Sequence, residues 1–321
     1  MQPTHMKTTQ LGTTGLEISR VGFGAWAIGG GGWQFGWGPQ QDEESVAAIH
    51  RALALGINWI DTAAAYGFGR SEEVVGRALK GLAEAERPHV FTKCSLLNDG
   101  TGRVVNNLKR DSILREAEAS LERLGVAAID LYQIHWPIPT DDIEEGWSAL
   151  VELKEQGLVR HIGVSNFNVE QLRRVQAIAP VETLQPPYSL IAREVEDEIL
   201  PFVERAGIGV IVYSPMGSGL LTGKMTRERI AHLAQDDWRR SAASFQEPQL
   251  TRHLALVERL KAVAERRDTT PGAIAVAWTL RNPAVDAAIV GFRRPDQVDP
   301  ILVAAELGLT DDEVKEIEDR K

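Results

Sequence analysis

A chain of 321 residues, 43% hydrophobic and 25% charged, has the composition of a soluble globular protein and the length of one large α/β barrel or of two smaller domains. Its formal net charge of -10 argues against broad attraction to nucleic acid or to an anionic membrane surface. The one cysteine, Cys94, excludes an intramolecular disulfide framework or a cysteine zinc cluster and suits a reducing compartment. The start MQPTHMKTTQ lacks the apolar core of a secretory signal and no window approaches 18 uninterrupted apolar residues, so a cytoplasmic location is expected.

In chain order, a β-hairpin is expected first, from Lys7–Leu11 and Leu16–Arg20 around a Thr14-Gly15 turn. Eight short apolar runs follow: VGFGAW, INWID, HVFTKCS, IDLYQIH, HIGVS, TLQP, IGVIVYS and AAIVG. Between them the periodicity predicts helices near Asp42–Leu55, Ser71–Glu84, Lys109–Leu124, Asp142–Gln156, Asn168–Ala179, Arg193–Arg205, Leu250–Arg267 and Pro271–Arg281. Ser71 before two glutamates and Thr270 before Pro271 read as helix starts. Near-continuous apolar strands separated by helices indicate a parallel sheet covered on both faces. Eight such units without a linker predict closure into a single (β/α)8 TIM barrel spanning residues 1–321. The long irregular stretches Gly29–Gln41 and Ser214–Pro248 then fall on the face where the strands end, where loops cover a site.

The run INWIDTAAAYGFG ends a buried strand on Asp61, a charge that needs a partner. In a barrel the third and fourth strands bring one to the same face: Lys93 lies near the end of one, His135 closes the other, and Tyr66 follows Asp61 in its loop. A phenol with a pKa near ~10 donates its proton reluctantly, but a neighbouring ammonium stabilises the phenolate and lowers that pKa. Lys93 supplies the ammonium, Asp61 fixes it, and His135 orients a carbonyl and shares its proton. Such a set protonates an oxygen while hydride arrives at the adjacent carbon.

The motifs INWIDTAAAYG, VFTK, IDLYQIHWP, IGVSNF, VYSPMGSGLLTGK and IVGFRRPDQ, in this order, resemble the aldo-keto reductase family over essentially the whole chain. The resemblance implies NADPH-dependent, reversible reduction of an aldehyde or ketone to an alcohol, with the cofactor extended across a (β/α)8 barrel and NADH a possible substitute. By motif position it makes Tyr66 the general acid/base, tuned by Asp61 and Lys93, with His135 placing the carbonyl. Ser165, Asn166 and Gln185 match groups that hydrogen-bond the nicotinamide carboxamide, and Tyr213 matches the aromatic platform under its ring. Ser214, Met216, Gly217, Gly219 and Lys224 match the pyrophosphate wrap, Gly291, Arg293 and Gln297 the adenosine phosphate end, and Trp26 the substrate pocket. One departure stands at Ile301, where relatives often carry an asparagine that reaches the adenine. Arg293 and Arg294 offer charge to a 2′-phosphate, which favours NADP over NAD.

Several motifs have blander readings. Ser165-Asn166 also reads as a helix N-cap before Asn168, and Trp33 and Trp37 serve either as wedges facing a substrate or as exposed packing residues. Gly22-Phe23-Gly24-Ala25-Trp26-Ala27 runs into GGGGW and not into a helix, so it fails as a dinucleotide fingerprint. The histidines lack metal-ligand spacing, so no metal is expected. The alternative function is a cofactor-binding, redox-sensing interaction protein with little turnover, which would keep the same four residues. The named partner is a small carbonyl compound; neither nucleic acid nor membrane is expected, and oligomeric state is not legible.

Overall fold

The computed structural model describes residues 6–319. Strands β1 (Thr8–Gln10) and β2 (Glu17–Ser19) form an antiparallel hairpin, as the Thr14-Gly15 turn predicts. Then come β3 (Val21–Gly24), β4 (Trp59–Asp61), β5 (His89–Cys94), a second hairpin of β6 (Leu96–Asn98) and β7 (Val104–Asn106), β8 (Ile129–Ile134), β9 (Val159–Ser165), β10 (Thr183–Gln185), β11 (Gly209–Tyr213) and β12 (Ala287–Gly291). The eight strands outside the hairpins pair in parallel, and β12 pairs with β3 to close the barrel. They coincide with the eight apolar runs.

The barrel interior explains why apolar strands end on charges. Successive side chains of a strand point to opposite faces, so Trp59 and Asp61 share one face of β4, Phe91 and Lys93 one of β5, and Leu131 and Gln133 one of β8. Trp59, Phe91, Leu131, Ile211 and Ala287 form an apolar floor, joined from below by Leu11 and Ile18 of the first hairpin. Trp59 also donates its indole N–H to the Ser19 carbonyl at 2.8 Å. Gly22 is required here, because a Cβ on it would lie 2.2 Å from the Trp59 ring. The polar layer above, Asp61, Lys93, Gln133 and Gln185, is thereby lifted to the C-terminal mouth.

The helices follow the predicted order with shifted ends. The helix expected from Ser71 spans Arg70–Leu79, with Gly69 in a left-handed conformation at its N-cap. Ser71 is no cap: its hydroxyl donates to the Ala25 carbonyl at 2.9 Å and meets the Thr62 hydroxyl at 2.8 Å, tying helix to barrel. Thr270 does cap the helix Pro271–Leu280, accepting from the Ala273 N–H. The Ser165-Asn166 cap reading gives way to Asn168, which caps Val169–Gln176 in a reciprocal box with Gln171. The stretch expected as one helix from Arg193 is a 3-10 turn, Glu194–Glu196, followed by a helix over Ile199–Ala206. The β6–β7 hairpin was not foreseen; its turn, Asp99 to Gly102, is closed by the Asn98 and Asp99 side chains.

Candidate active site

Asp61, Tyr66 and His135 line the floor of a cavity of about 730 Å³ at the barrel mouth, and Lys93 lies directly behind Asp61 and Tyr66. The Lys93 ammonium donates to Asp61 Oδ1 at 2.5 Å, to the Thr62 carbonyl at 2.8 Å and to the Tyr66 hydroxyl at 3.3 Å. All three of its N–H bonds are engaged. The Tyr66 and His135 rings meet edge to face, centroids 5.6 Å apart. Asp61 Oδ2 accepts from the Gln185 amide at 2.8 Å, and that nitrogen also approaches Gln133 Oε1 at 3.4 Å. Gln133 escaped the sequence reading, although its phase, two residues before His135 in IDLYQIH, points it inward with the others.

Burial dominates the protonation of this group. It pushes the Tyr66 phenol well above its ordinary pKa, with the Asp61 carboxylate adding in the same direction. The direction is opposite to the lowering expected from Lys93, and desolvation of the phenolate, with the nearby carboxylate, sets it. Burial also lifts Asp61 and depresses Lys93, while each charge counters the shift of the other. With every donor of Lys93 and both oxygens of Asp61 partnered, the contacts fit an ion pair. Burial and the Lys93 charge hold His135 well below the usual histidine range, so its imidazole is neutral near pH 7. Its Nδ1 is buried without a hydrogen-bond partner.

Beside the four residues, Asn166 adopts a left-handed φ of 65°. Its amide donates to the His135 carbonyl at 2.9 Å and to Ser165 Oγ at 3.0 Å, and its Oδ1 accepts from the Tyr213 hydroxyl at 2.8 Å. Ser165 Oγ donates in turn to the Gln185 carbonyl at 2.7 Å. Strands β9, β10 and β11 are thus laced together at their ends, with Ser165, Asn166, Gln185 and Tyr213 all on the cavity wall. Beyond Tyr213 the chain passes through positive φ at Ser214, Gly217, Ser218 and Gly219. For the two serines this costs about 1 kcal/mol each or more.

The two halves of the rim differ in chemistry. The loops after β3, β5 and β8 place Trp26, Trp33, Phe35, Leu96 and Trp136 on the wall. Trp26 stacks on Trp238 at 5.2 Å and beside Tyr66 at 6.2 Å, and Trp33 lies 6.4 Å from Tyr66. Trp33 is buried and lines the cavity, so it is not an exposed packing residue. The loops after β11 and β12 contribute Lys224, Arg229, Arg239, Arg293 and Arg294. A chain of net charge -10 therefore gathers cations around one end of its cavity.

The loops also clasp each other. Trp37 bridges Asp237, the Trp238 N–H donates to the Gly36 carbonyl at 3.0 Å, and the Gly32 N–H to Asp236 at 3.0 Å. Arg239 pairs with buried Asp237 at 2.6 Å and lies over the Trp37 ring at 4.3 Å. Arg293 is drawn into this clasp: its guanidinium donates to Gln40 Oε1 at 2.6 Å and to the carbonyls of Trp37 and Pro39. Gln297 accepts from the N–H groups of Arg293 and Arg294, holding their turn. Met216 and Ile301 line the cavity and both pack close to Gly272. Gly291 lines it too, and a Cβ built on it would meet nothing nearer than the Gly24 carbonyl oxygen at 3.8 Å.

A dinucleotide fits these residues: amide and hydroxyl groups stand near Tyr66, the partly buried Tyr213 ring follows, and cations with a left-handed glycine loop stand beyond. Among the described residues no cluster of three His, Cys, Asp or Glu could hold a metal ion, and no helix is long and apolar enough to cross a membrane.

Known proteins match this arrangement. A sequence profile described as the Aldo/keto reductase family matches residues 20–320. The chain is 39% identical over 313 residues to aldo-keto reductase YhdN of Bacillus subtilis, covering 97% of this chain and 92% of that one. It is 36% identical over 319 residues to the NADH-specific methylglyoxal reductase of Escherichia coli, covering 95% of each. Among solved structures, the glycerol dehydrogenase AKR11B4 from Gluconobacter oxydans superposes with a TM-score of 0.85 at 39% identity, over 100% of this chain and 95% of that one. With the profile spanning nearly the whole chain and the fold shared with its solved relatives, this protein belongs to the aldo/keto reductase family of oxidoreductases.

Proposed function

We propose that this chain reduces a small aldehyde or ketone to an alcohol, reversibly, with NADPH or NADH, and that Tyr66 delivers the proton. The observation carrying this reading is the 3.3 Å contact between the Tyr66 hydroxyl and a Lys93 ammonium already anchored on Asp61, at the floor of the cavity. The raised pKa keeps the phenol protonated, as a donor must be before transfer. Lys93 is in place to stabilise the phenolate left behind, without rearrangement. Neutral His135 acts as hydrogen-bond partner to the carbonyl oxygen. When bound, the reduced nicotinamide supplies the hydride.

Ser165, Asn166 and Gln185 would hold the carboxamide, Gln185 through Oε1 since its nitrogen already donates to Asp61. Tyr213 would underlie the ring. Ser214, Met216, Gly219 and Lys224 would line the pyrophosphate, with Gly217 turning their loop behind the cavity wall against Ile191; Gly291, Arg293 and Gln297 would stand at the adenosine end and Trp26 beside the substrate. A 2′-phosphate would meet Arg294 more readily than Arg293, whose guanidinium is engaged by the first loop. Similarity to an NADH-specific reductase supports acceptance of NADH as well. The cytoplasm is the proposed compartment, in keeping with a lone buried thiol.

The test replaces Tyr66 by Phe. Nicotinamide-dependent turnover of an aldehyde panel should fall by about 10²- to 10⁴-fold while quenching of protein fluorescence by the dinucleotide is retained. Wild-type turnover in the variant would remove Tyr66 from the mechanism.

A further inference from the structure

We propose that Gln133 is a positioning residue for the reduction, setting the Gln185 amide with its nitrogen inward and its oxygen toward the nicotinamide carboxamide, at a cost in stability; this rests on the reductase reading above. Gln133 is fully buried and stands in register with Lys93 on β5 and with Gly163 on β9. Its phase on β8 points it into the barrel, toward the layer of Asp61, Lys93 and Gln185. Strand β9 lies between Gln133 and Gln185, and Gly163 leaves the crossing open. A Cβ there would stand 2.0 Å from Thr183 Oγ1, so no side chain of β9 can fill the space across which the two glutamines meet.

An amide nitrogen carries two hydrogens. That of Gln185 gives one to Asp61 Oδ2 at 2.8 Å, and Gln133 Oε1, 3.4 Å away, is the acceptor facing the other. One bond alone leaves the amide free to swing about the N–H···Oδ2 line, whereas two acceptors set its plane; the longer contact needs only to orient. The neighbouring groups are already engaged. The Asn166 amide nitrogen donates to the His135 carbonyl and to Ser165 Oγ, its Oδ1 accepts from Tyr213, and Ser165 Oγ donates to the Gln185 carbonyl. Gln185 Oε1 is therefore the acceptor left for the carboxamide NH2, and Gln185 lines the cavity. Gln133 Nε2, by contrast, is buried without a partner. An unpaired buried amide is destabilising, and a leucine, like Leu131 two residues earlier, would pack there without one. A polar residue standing where an apolar one is the more stable choice marks a position shaped by binding.

The experiment compares Gln133→Leu with the wild type by quenching of tryptophan fluorescence. The ligands are NADP+ and its 3-acetylpyridine analogue, in which a methyl group replaces the carboxamide NH2, with NAD+ and its analogue as a second pair. The wild type should bind the carboxamide form about tenfold more tightly, and the variant should lose about fivefold of that preference while its thermal midpoint stays level or rises. Support requires both results. A preference unchanged within about twofold, or a variant that unfolds or melts more than about 2 °C lower, makes Gln133 a barrel-packing residue and overturns the proposal. Failure of the wild type to bind either pair overturns the reductase reading, and the proposal with it.

Discussion

The rim of this barrel is built twice over. On the side of β3, β4, β5 and β8 the wall next to Tyr66 is aromatic, with the Trp26 and Trp33 indoles donating to backbone carbonyls; on the side of β9 to β12 it is polar and cationic. The four ionisable residues lie on the first side, and the second reaches them through Gln185 and Asn166. A low-dielectric wall on one flank strengthens the Lys93–Asp61 interaction, while charge on the other is kept for an anionic ligand. On the proposed reading, one cavity separates the place of proton transfer from the place that holds the dinucleotide.

The largest expected effect breaks the floor shared by both sides. Lys93→Met leaves the Asp61 carboxylate buried and unpaired, so unfolding stability should fall by about 3–5 kcal/mol in denaturant titration, and carbonyl turnover should vanish. Asp61→Asn in the same background should restore most of the stability without the activity, since both charges are then gone.

Next in size is a group behind the aromatic side. Glu116 accepts from the Ser95 N–H at 2.9 Å and from Ser112 Oγ at 3.1 Å, holding Ser95 at a φ of 81° where β5 turns into the β6–β7 hairpin. Burial, with the Glu72 charge adding to it, raises its carboxyl from 4.5 to about 7. The native state then binds this proton more tightly than the unfolded chain. The stability it confers is complete below about pH 4.5 and is lost as pH rises through about 7, at most about 3 kcal/mol. Glu116→Gln should flatten that window; an unchanged pH dependence of stability would show that Glu116 is not its source.

Arg239→Ala should loosen the clasp between the two sides. It strands buried Asp237 and uncovers the Trp37 ring, so dinucleotide affinity should fall about tenfold, read by fluorescence titration. The smallest effect belongs to Arg294, more than half exposed and paired with exposed Asp296. Arg294→Ala should weaken NADPH a few-fold and leave NADH unaltered. Equal losses for both would mean that the 2′-phosphate is read elsewhere.

Much of this was legible in order of residues. Eight apolar runs gave the eight barrel strands, and strand-end positions brought Asp61, Lys93 and His135 to one mouth, because a parallel barrel has only one C-terminal face. Tyr66 came with them because its loop is short. Illegible were the features that depend on which groups are desolvated together. The rise of the Tyr66 pKa required knowing that the phenol is buried beside Asp61 as well as Lys93. Gln133 was hidden in an apolar strand, and Ser71 looked like a cap because a hydroxyl near glutamates is the usual sign of one.

Local pattern alone therefore determined the order of the barrel strands, the hairpin at the barrel floor and the ionisable residues brought to one mouth, since two-residue alternation and chain direction fix where strand side chains go. The tertiary structure alone decided which hydrogen-bonding groups are already engaged: Arg293 by the first loop, Gln185 by Asp61, and the indole groups of Trp26 and Trp33 by backbone carbonyls. The reason is physical. A side chain's capacity to bind a ligand is what remains after its neighbours are satisfied, and those neighbours lie up to 256 residues away along the chain.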